Sequence, residues 1–172
     1  MGVAIRGGVV LGVLVTLWTY FMGITGWYRH PMLLFGFWLV VPVQIAVLVW
    51  SLGKTADRRG YLAQFGLGMA ISALGGVIIF FSSLLFTTVA FPRYFQEMRA
   101  LQEEVLRQAG TSAVESRRIL ELTARDATPV GQALAALYGT LATGLLASIV
   151  IAALARRKDS VPASPGPLTN VS

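Results

Sequence analysis

The chain has 172 residues, of which 55% are hydrophobic and 13% charged, with a formal net charge of +6 and no cysteine; its mean hydropathy is +0.68. A soluble domain carries about 25% charged residues, so this composition leaves too little polar surface to clothe a water-soluble globule and calls for a lipid-facing exterior. The lack of cysteine excludes disulfides, thiol catalysis and cysteine-ligated metals. The basic residues flank apolar runs instead of forming a patch with interleaved aromatics, which argues against nucleic acid as a partner.

The first apolar run covers residues 7–25. Arg6 precedes it like the basic start of a signal peptide, but the run is longer than a typical h-region and ends in Gly26-Trp27-Tyr28 without a small-residue cleavage site; we read a retained helix. Arg6 also stands where myristoylation of Gly2 needs Ser or Thr. Trp27 to Pro31, including His30, form a tight connection with aromatic rings suited to headgroup depth. The second run is residues 33–52, with Pro42 inside it predicting a kink that frees a carbonyl one turn earlier, and Gln44 placed to satisfy opened backbone or a neighbouring helix.

Lys54 to Gly60 is a basic turn, and the third run, residues 65–91, follows it. Roughly 27 helical residues span about 40 Å, longer than the ~30 Å hydrocarbon layer, so this helix must tilt or protrude. The fourth run, residues 130–154, begins after Pro129 and closes at Arg156-Arg157-Lys158. The expected fold is therefore all-α, a four-helix bundle crossing the membrane as one domain over residues 1–158, with residues 159–172 a disordered Pro-containing tail. Asn170-Val171-Ser172 matches a glycosylation acceptor by chance.

With four spans, both termini and the 54–60 turn share one side. That side carries Arg6, Lys54, Arg58, Arg59, Arg156, Arg157 and Lys158, which places both termini in the cytoplasm of a bacterial inner membrane. The other side holds residues 93–126, where Arg93, Arg99, Arg107, Arg117, Arg118 and Arg125 are matched by Glu97, Glu103, Glu104, Glu115, Glu121 and Asp126. Tyr94, Phe95, Met98, Leu101, Val105 and Leu106 recur at helical spacing and give one apolar face. Glu103–Arg107 and Glu121–Arg125 are expected i,i+4 pairs. Gly110 suits a helix end, and Ser112 to Glu115 matches a capping box. The expectation is an extracytoplasmic amphipathic helical hairpin that rests on the membrane surface or recognises a partner.

Small residues let transmembrane helices approach closely. Gly8 and Gly12 do this in the first span, Gly68, Ser72 and Gly76 in the third, and Ala136, Thr140, Gly144, Ser148 and Ala152 in the fourth. These stripes fit packing within the bundle, with a homo-oligomer as the other use.

No Asp, Glu, Lys, Arg or His lies at the centre of any span, whereas proton-coupled transport and intramembrane metalloproteolysis need such groups. No catalytic, cofactor-binding or metal-binding residue is assigned. Ser82, Ser83, Thr87 and Thr88 are expected to bond their own helix backbone. Walker and dinucleotide fingerprints lack their strand–turn–helix context.

The order of a Gly-rich first span, a basic turn, the junction Phe91-Pro92-Arg93-Tyr94-Phe95, a charged helical segment and a Pro-initiated last span closed by Arg156-Arg157-Lys158 resembles the bacterial membrane-protein family known as domain of unknown function 4199. The resemblance runs from Arg6 to Lys158. Family members often carry a Glu and a Pro early in the last span; Ala136-Leu137-Tyr138-Gly139 has neither, so no role of those residues transfers. The resemblance implies topology and no activity.

The function expected is that of a non-catalytic accessory or scaffold subunit of an envelope membrane complex, its partners being the lipid bilayer and other membrane subunits. The alternative is a carrier or binder of a small apolar or lipid-like ligand. Pro42, Gln44, Phe95, Met98 and Leu101 are the candidate ligand or partner contacts. A lipid-modifying enzyme would need an interfacial acid–base pair, and only the 93–126 acids and His30 could supply one.

Overall fold

The computed structural model describes residues 2–55 and 60–158. The cluster Asp57, Arg58 and Arg59, and the tail 159–172 with its glycosylation match, lie outside the described residues. An apolar segment has to close its own backbone hydrogen bonds, and helices do so within one segment. Helix α1 is Gly2–Thr25, α2 is Val40–Gly53, α3 is Tyr61–Leu85, α4 is Tyr94–Gln108, α5 is Ala113–Ala124 and α6 is Pro129–Lys158. No strand occurs among the described residues. Among those residues, the stretches Gly2–Thr25, Phe35–Gly53, Tyr61–Ala90 and Pro129–Ile151 are long and apolar enough to cross a membrane.

Several boundaries depart from the sequence reading. Helix α1 begins before Arg6, since a single arginine on a long apolar stem does not stop a helix. The second span opens as a 3-10 helix over Leu33–Leu39, and α2 takes over only at Val40. Pro42 therefore sits in the first turn of α2, where a missing amide N–H breaks no α-helical bond, directly after the change of winding. Helix α3 starts at Tyr61, four residues before the expected Phe65, and ends in a π turn over Phe86–Ala90. Pro129 is itself the first residue of α6, and the Thr128 hydroxyl accepts a hydrogen bond from the Gly131 amide at 3.0 Å.

Helix α3 packs along both α1 and α6, while α2 packs against α1 and α6 on the other side. The α1–α3 contact is parallel, with Gly7 facing Ile71, Gly8 facing Leu74 and Gly12 facing Ile78. A β-carbon at Gly8 would lie 2.6 Å from that of Leu74 and 3.2 Å from the Ile71 carbonyl oxygen, so the two backbones are in direct approach. The α3–α6 contact is antiparallel: Gly68 meets Ser148, Gly144 meets Ser72, and Gly76 meets Leu137 and Thr140. Leu11, Val15, Val47, Leu48, Leu52, Leu67, Ile71 and Ile79 fill the space between these crossings. The outward faces carry exposed Leu17, Leu62, Phe81, Leu146 and Val150, an apolar exterior suited to lipid chains.

At Gly8→Val, overpacking against backbone should destabilise the protein by about 1–3 kcal/mol. Gly139 has open space around it, so Gly139→Ala should be neutral or stabilise by up to about 1 kcal/mol through helix propensity. Thermal unfolding midpoints of the two variants in one mild detergent, compared with the parent, check both outcomes.

Candidate functional site

Two places in the molecule bring polar chemistry together. The first is a seam inside the helical core. Gln44, 2% exposed, projects from α2 to where α2, α3 and α6 meet. Its Nε2 donates to the Thr140 carbonyl oxygen at 2.6 Å, and the Thr140 hydroxyl donates to the Ala136 carbonyl at 2.8 Å. The Ser72 hydroxyl and the Gln44 amide both crowd the face of Gly144. Toward the other end, Gln64 Nε2 donates to the Leu52 carbonyl at 3.4 Å, and the Thr55 hydroxyl donates to Gln64 Oε1 at 3.3 Å. Among the described residues, the buried hydroxyls of Ser51, Ser72 and Ser148 have no hydrogen-bond partner.

Every group in this seam is a neutral amide or hydroxyl. Such groups donate and accept hydrogen bonds but do not ionise near neutral pH, so the seam can align helices or hold a neutral guest without moving charge. Gln44 is buried, and Pro42, two residues earlier, is exposed. Of the small residues named above, Gly8, Gly12, Gly68, Ser72, Gly76, Thr140, Gly144 and Ser148 are buried at helix crossings, and Ala136 is half-buried. Thr87 and Thr88 bond their own helix, donating to the carbonyls of Ser83 at 3.0 Å and Leu84 at 2.6 Å.

The second place is the junction of the α1–α2 connection with α4. Gly26, at φ 69°, ends α1 in the left-handed conformation and lets Trp27–Arg29 form one 3-10 turn. That turn buries Tyr28, whose hydroxyl donates to Glu97 Oε2 at 2.5 Å. Arg29 reaches the same carboxylate with both Nε, at 2.9 Å, and Nη2, at 3.0 Å. Beneath this clasp, Tyr28, Phe86 and Tyr94 form a buried aromatic cluster with Phe91 packed on it; the Phe86 and Phe91 centroids are 4.5 Å apart and those of Tyr28 and Tyr94 5.4 Å. The π turn points Phe86 and Thr87 inward, and Gly23 of α1 leaves the room that Phe86 and Phe91 occupy.

The clasp shifts its own titrations. The Tyr28 hydrogen bond foremost, reinforced by Arg29, holds the Glu97 carboxyl below its ordinary range against the opposing effect of burial. Burial, then the Glu97 contact, pushes the Tyr28 phenol up, and burial pushes Tyr94 up to about 12.

Phe95 and Met98 are partly buried against the aromatic cluster, and Leu101 is half-buried further along α4. His30 is exposed in the connecting turn. Between α4 and α5, Gly110 at φ 71° terminates the first helix, and the Ser112 hydroxyl accepts from the Glu115 amide at 3.3 Å. The ion pairs differ from the expected ones. Arg107 bonds Glu104 at 2.6 Å, Glu103 takes Arg99 at 3.3 Å, and Glu121 and Arg125 form none among the described residues. The i,i+3 geometry gives Arg107 a contact through two guanidinium nitrogens, and it holds Glu104 down to about 2.

Sequence reasoning missed the Tyr28–Arg29–Glu97 constellation because its members stand 68 and 69 residues apart. The available signals were a lone arginine in a short connection and an acid in the first turn of α4. Among the described residues no group of His, Asp and Glu is placed to hold a metal ion.

Among the described residues the architecture is thus all-helical, with four helices able to cross a membrane. The chain belongs to the family described as protein of unknown function (DUF4199), whose model matches residues 6–157. No curated protein and no solved structure matches it.

Because the folded-state pKa of Glu97 lies below its ordinary value of 4.5, its contribution to stability is complete above that value and is lost as pH falls through the folded pKa. Glu97→Gln should therefore unfold at a lower temperature than the parent at pH 7 and match it once the carboxyl is protonated. A pH series of melting curves reads this directly; parallel curves for the two proteins down to low pH would contradict it. Gln44→Leu removes one interhelical hydrogen bond and should lower stability by about 0.6 kcal/mol, up to ~1.7, as measured by unfolding in mixed detergent.

Proposed function

We propose that the protein is a non-catalytic integral membrane protein of the bacterial inner membrane, with both termini cytoplasmic, serving as an accessory or scaffold subunit of a larger envelope complex. The observation that carries this reading is the clasp. A bidentate arginine, a tyrosine hydroxyl and a buried aromatic cluster hold α4 against the connection between the first two spans. A surface element held this firmly suits presentation to a partner, since little ordering entropy remains to be lost on binding. The tight helix crossings support the same reading, because they use the interior for packing. The carrier reading draws on a different observation, the partnerless hydroxyls of Ser51, Ser72 and Ser148, which could anchor a small neutral guest.

Native mass spectrometry of the gently solubilised protein from its own host membranes tests the choice. A stoichiometric foreign subunit is expected. A lone monomer or homo-oligomer retaining a lipid would overturn the accessory reading in favour of the carrier. Orientation is tested separately, because the chain has no cysteine of its own. Thr111→Cys should react with an impermeant maleimide on the outside of intact spheroplasts, and Thr55→Cys only after permeabilisation; the reverse pattern would invert the topology.

A further inference from the structure

Helices α4 and α5 treat their charges differently. On α4, Glu97, Glu103, Glu104, Arg99 and Arg107 are engaged in ion pairs. On α5 and just after it, Arg117, Arg118 and Arg125 are exposed, and none lies within ion-pair distance of a carboxylate among the described residues. Helical spacing puts these arginines on the same side as Val114, 82% exposed, and Leu122, 56% exposed. The opposite side of α5 is the one turned to α4: Leu120 is buried, and the Thr123 hydroxyl accepts from Gln102 at 3.4 Å. Glu121 stands among the arginines, Glu115 at the edge of that side beside Leu122 and Asp126 next to Arg125, and none of these acids is within ion-pair distance of an arginine among the described residues. A shallow groove there is lined by Ala113, Val114, Arg117, Arg118 and Glu121.

The chain also limits how far this face can stand from the bilayer. Helix α5 ends at Ala124 and the stretch able to cross a membrane begins at Pro129, so the end of α5 lies within about 18 Å of that start even with the link fully extended. Guanidinium groups bind phosphate oxygens in bidentate fashion, and apolar side chains between them fit the boundary of headgroups and acyl chains.

We propose that the outward face of α5 docks onto the phosphate-bearing headgroups of the bilayer that the chain crosses, with Arg117, Arg118 and Arg125 binding phosphates and Val114 and Leu122 entering the acyl boundary. The inference rests on the transmembrane part of the functional reading and is independent of the accessory role. It assigns α5 to the lipid surface and leaves α4 as the solvated partner of the pair.

The test uses the full chain in nanodiscs, with an environment-sensitive fluorophore on single cysteines introduced at Val114, at Leu122 and, as a control on α4, at Ala100. In equimolar phosphatidylcholine and phosphatidylglycerol, iodide quenching at 114 and 122 should fall several-fold below that at 100. The protection should weaken in phosphatidylcholine alone, and Arg117→Gln, Arg118→Gln and Arg125→Gln together should abolish it. Should that triple variant fail to incorporate, raised salt on the labelled parent serves instead, since screening should remove the protection. Equal quenching at all three positions in both lipids would overturn the proposal. So would protection that survives loss of the arginines, or that requires a co-purified protein. Failure of the parent to enter any nanodisc is a distinct outcome, which would overturn the transmembrane reading and this inference with it.

Discussion

The close approach of α3 to α1 and α6 is the constraint on which the rest of the structure depends. Between helices surrounded by lipid there is no hydrophobic force to recruit, so association rests on van der Waals contact and on the few hydrogen bonds that can form. Those contacts weaken steeply with distance. Gly8 therefore gives α3 a backbone surface on one side, and Gly68 and Gly144 exchange places with Ser148 and Ser72 on the other. With α3 held between two helices, α2 completes the packing through Gln44, whose amide reaches across to the Thr140 carbonyl. The polar seam is then a consequence of the crossing, because it is where three helices come near enough for a side-chain amide to bridge them.

The way α3 ends carries this order out of the core. A change from α to π winding over Phe86–Ala90 turns Phe86 and Thr87 inward, and Gly23 leaves space for the rings of Phe86 and Phe91. Tyr94 follows as the first residue of α4 and packs at a tilt against Tyr28. The Tyr28 hydroxyl and the Arg29 guanidinium then converge on Glu97. The orientation of α4 is thereby coupled to the connection between the first two spans. Non-α winding stands at the same end of the molecule in both spans involved, over Leu33–Leu39 and Phe86–Ala90, as expected where local geometry is set by packing of large side chains.

The apolar runs were legible because their length and purity are properties of single segments. Gly110 and Pro129 marked a helix end and a helix start for the same local reason. Boundaries were less legible: the third run was taken from Phe65, yet α3 begins at Tyr61, and within that added turn Gln64 finds the Leu52 carbonyl and the Thr55 hydroxyl. The 3-10 start of the second span was not legible, because Leu33–Leu39 carries no distinguishing residue pattern. On α4, spacing allowed Glu103 or Glu104 for Arg107, and side-chain geometry chose Glu104. The sites named from sequence divide in the same way. Gln44 was visible as an amide in an apolar run, whereas Phe95 and Met98, taken for ligand or partner contacts, rest on an aromatic cluster assembled from three separate segments.

The sequence by itself determined that the chain is helical, that four of its helices can cross a membrane, and that no ionisable group lies at their centres, because hydrophobicity, period and charge are carried residue by residue along the chain. Tertiary structure alone decided that Glu97 is bound by Tyr28 and Arg29, that Ser72 faces Gly144, and that Arg117 and Arg118 have no carboxylate at ion-pair distance among the described residues. Those outcomes depend on distances between segments tens of residues apart, and such distances exist only after the helices have packed.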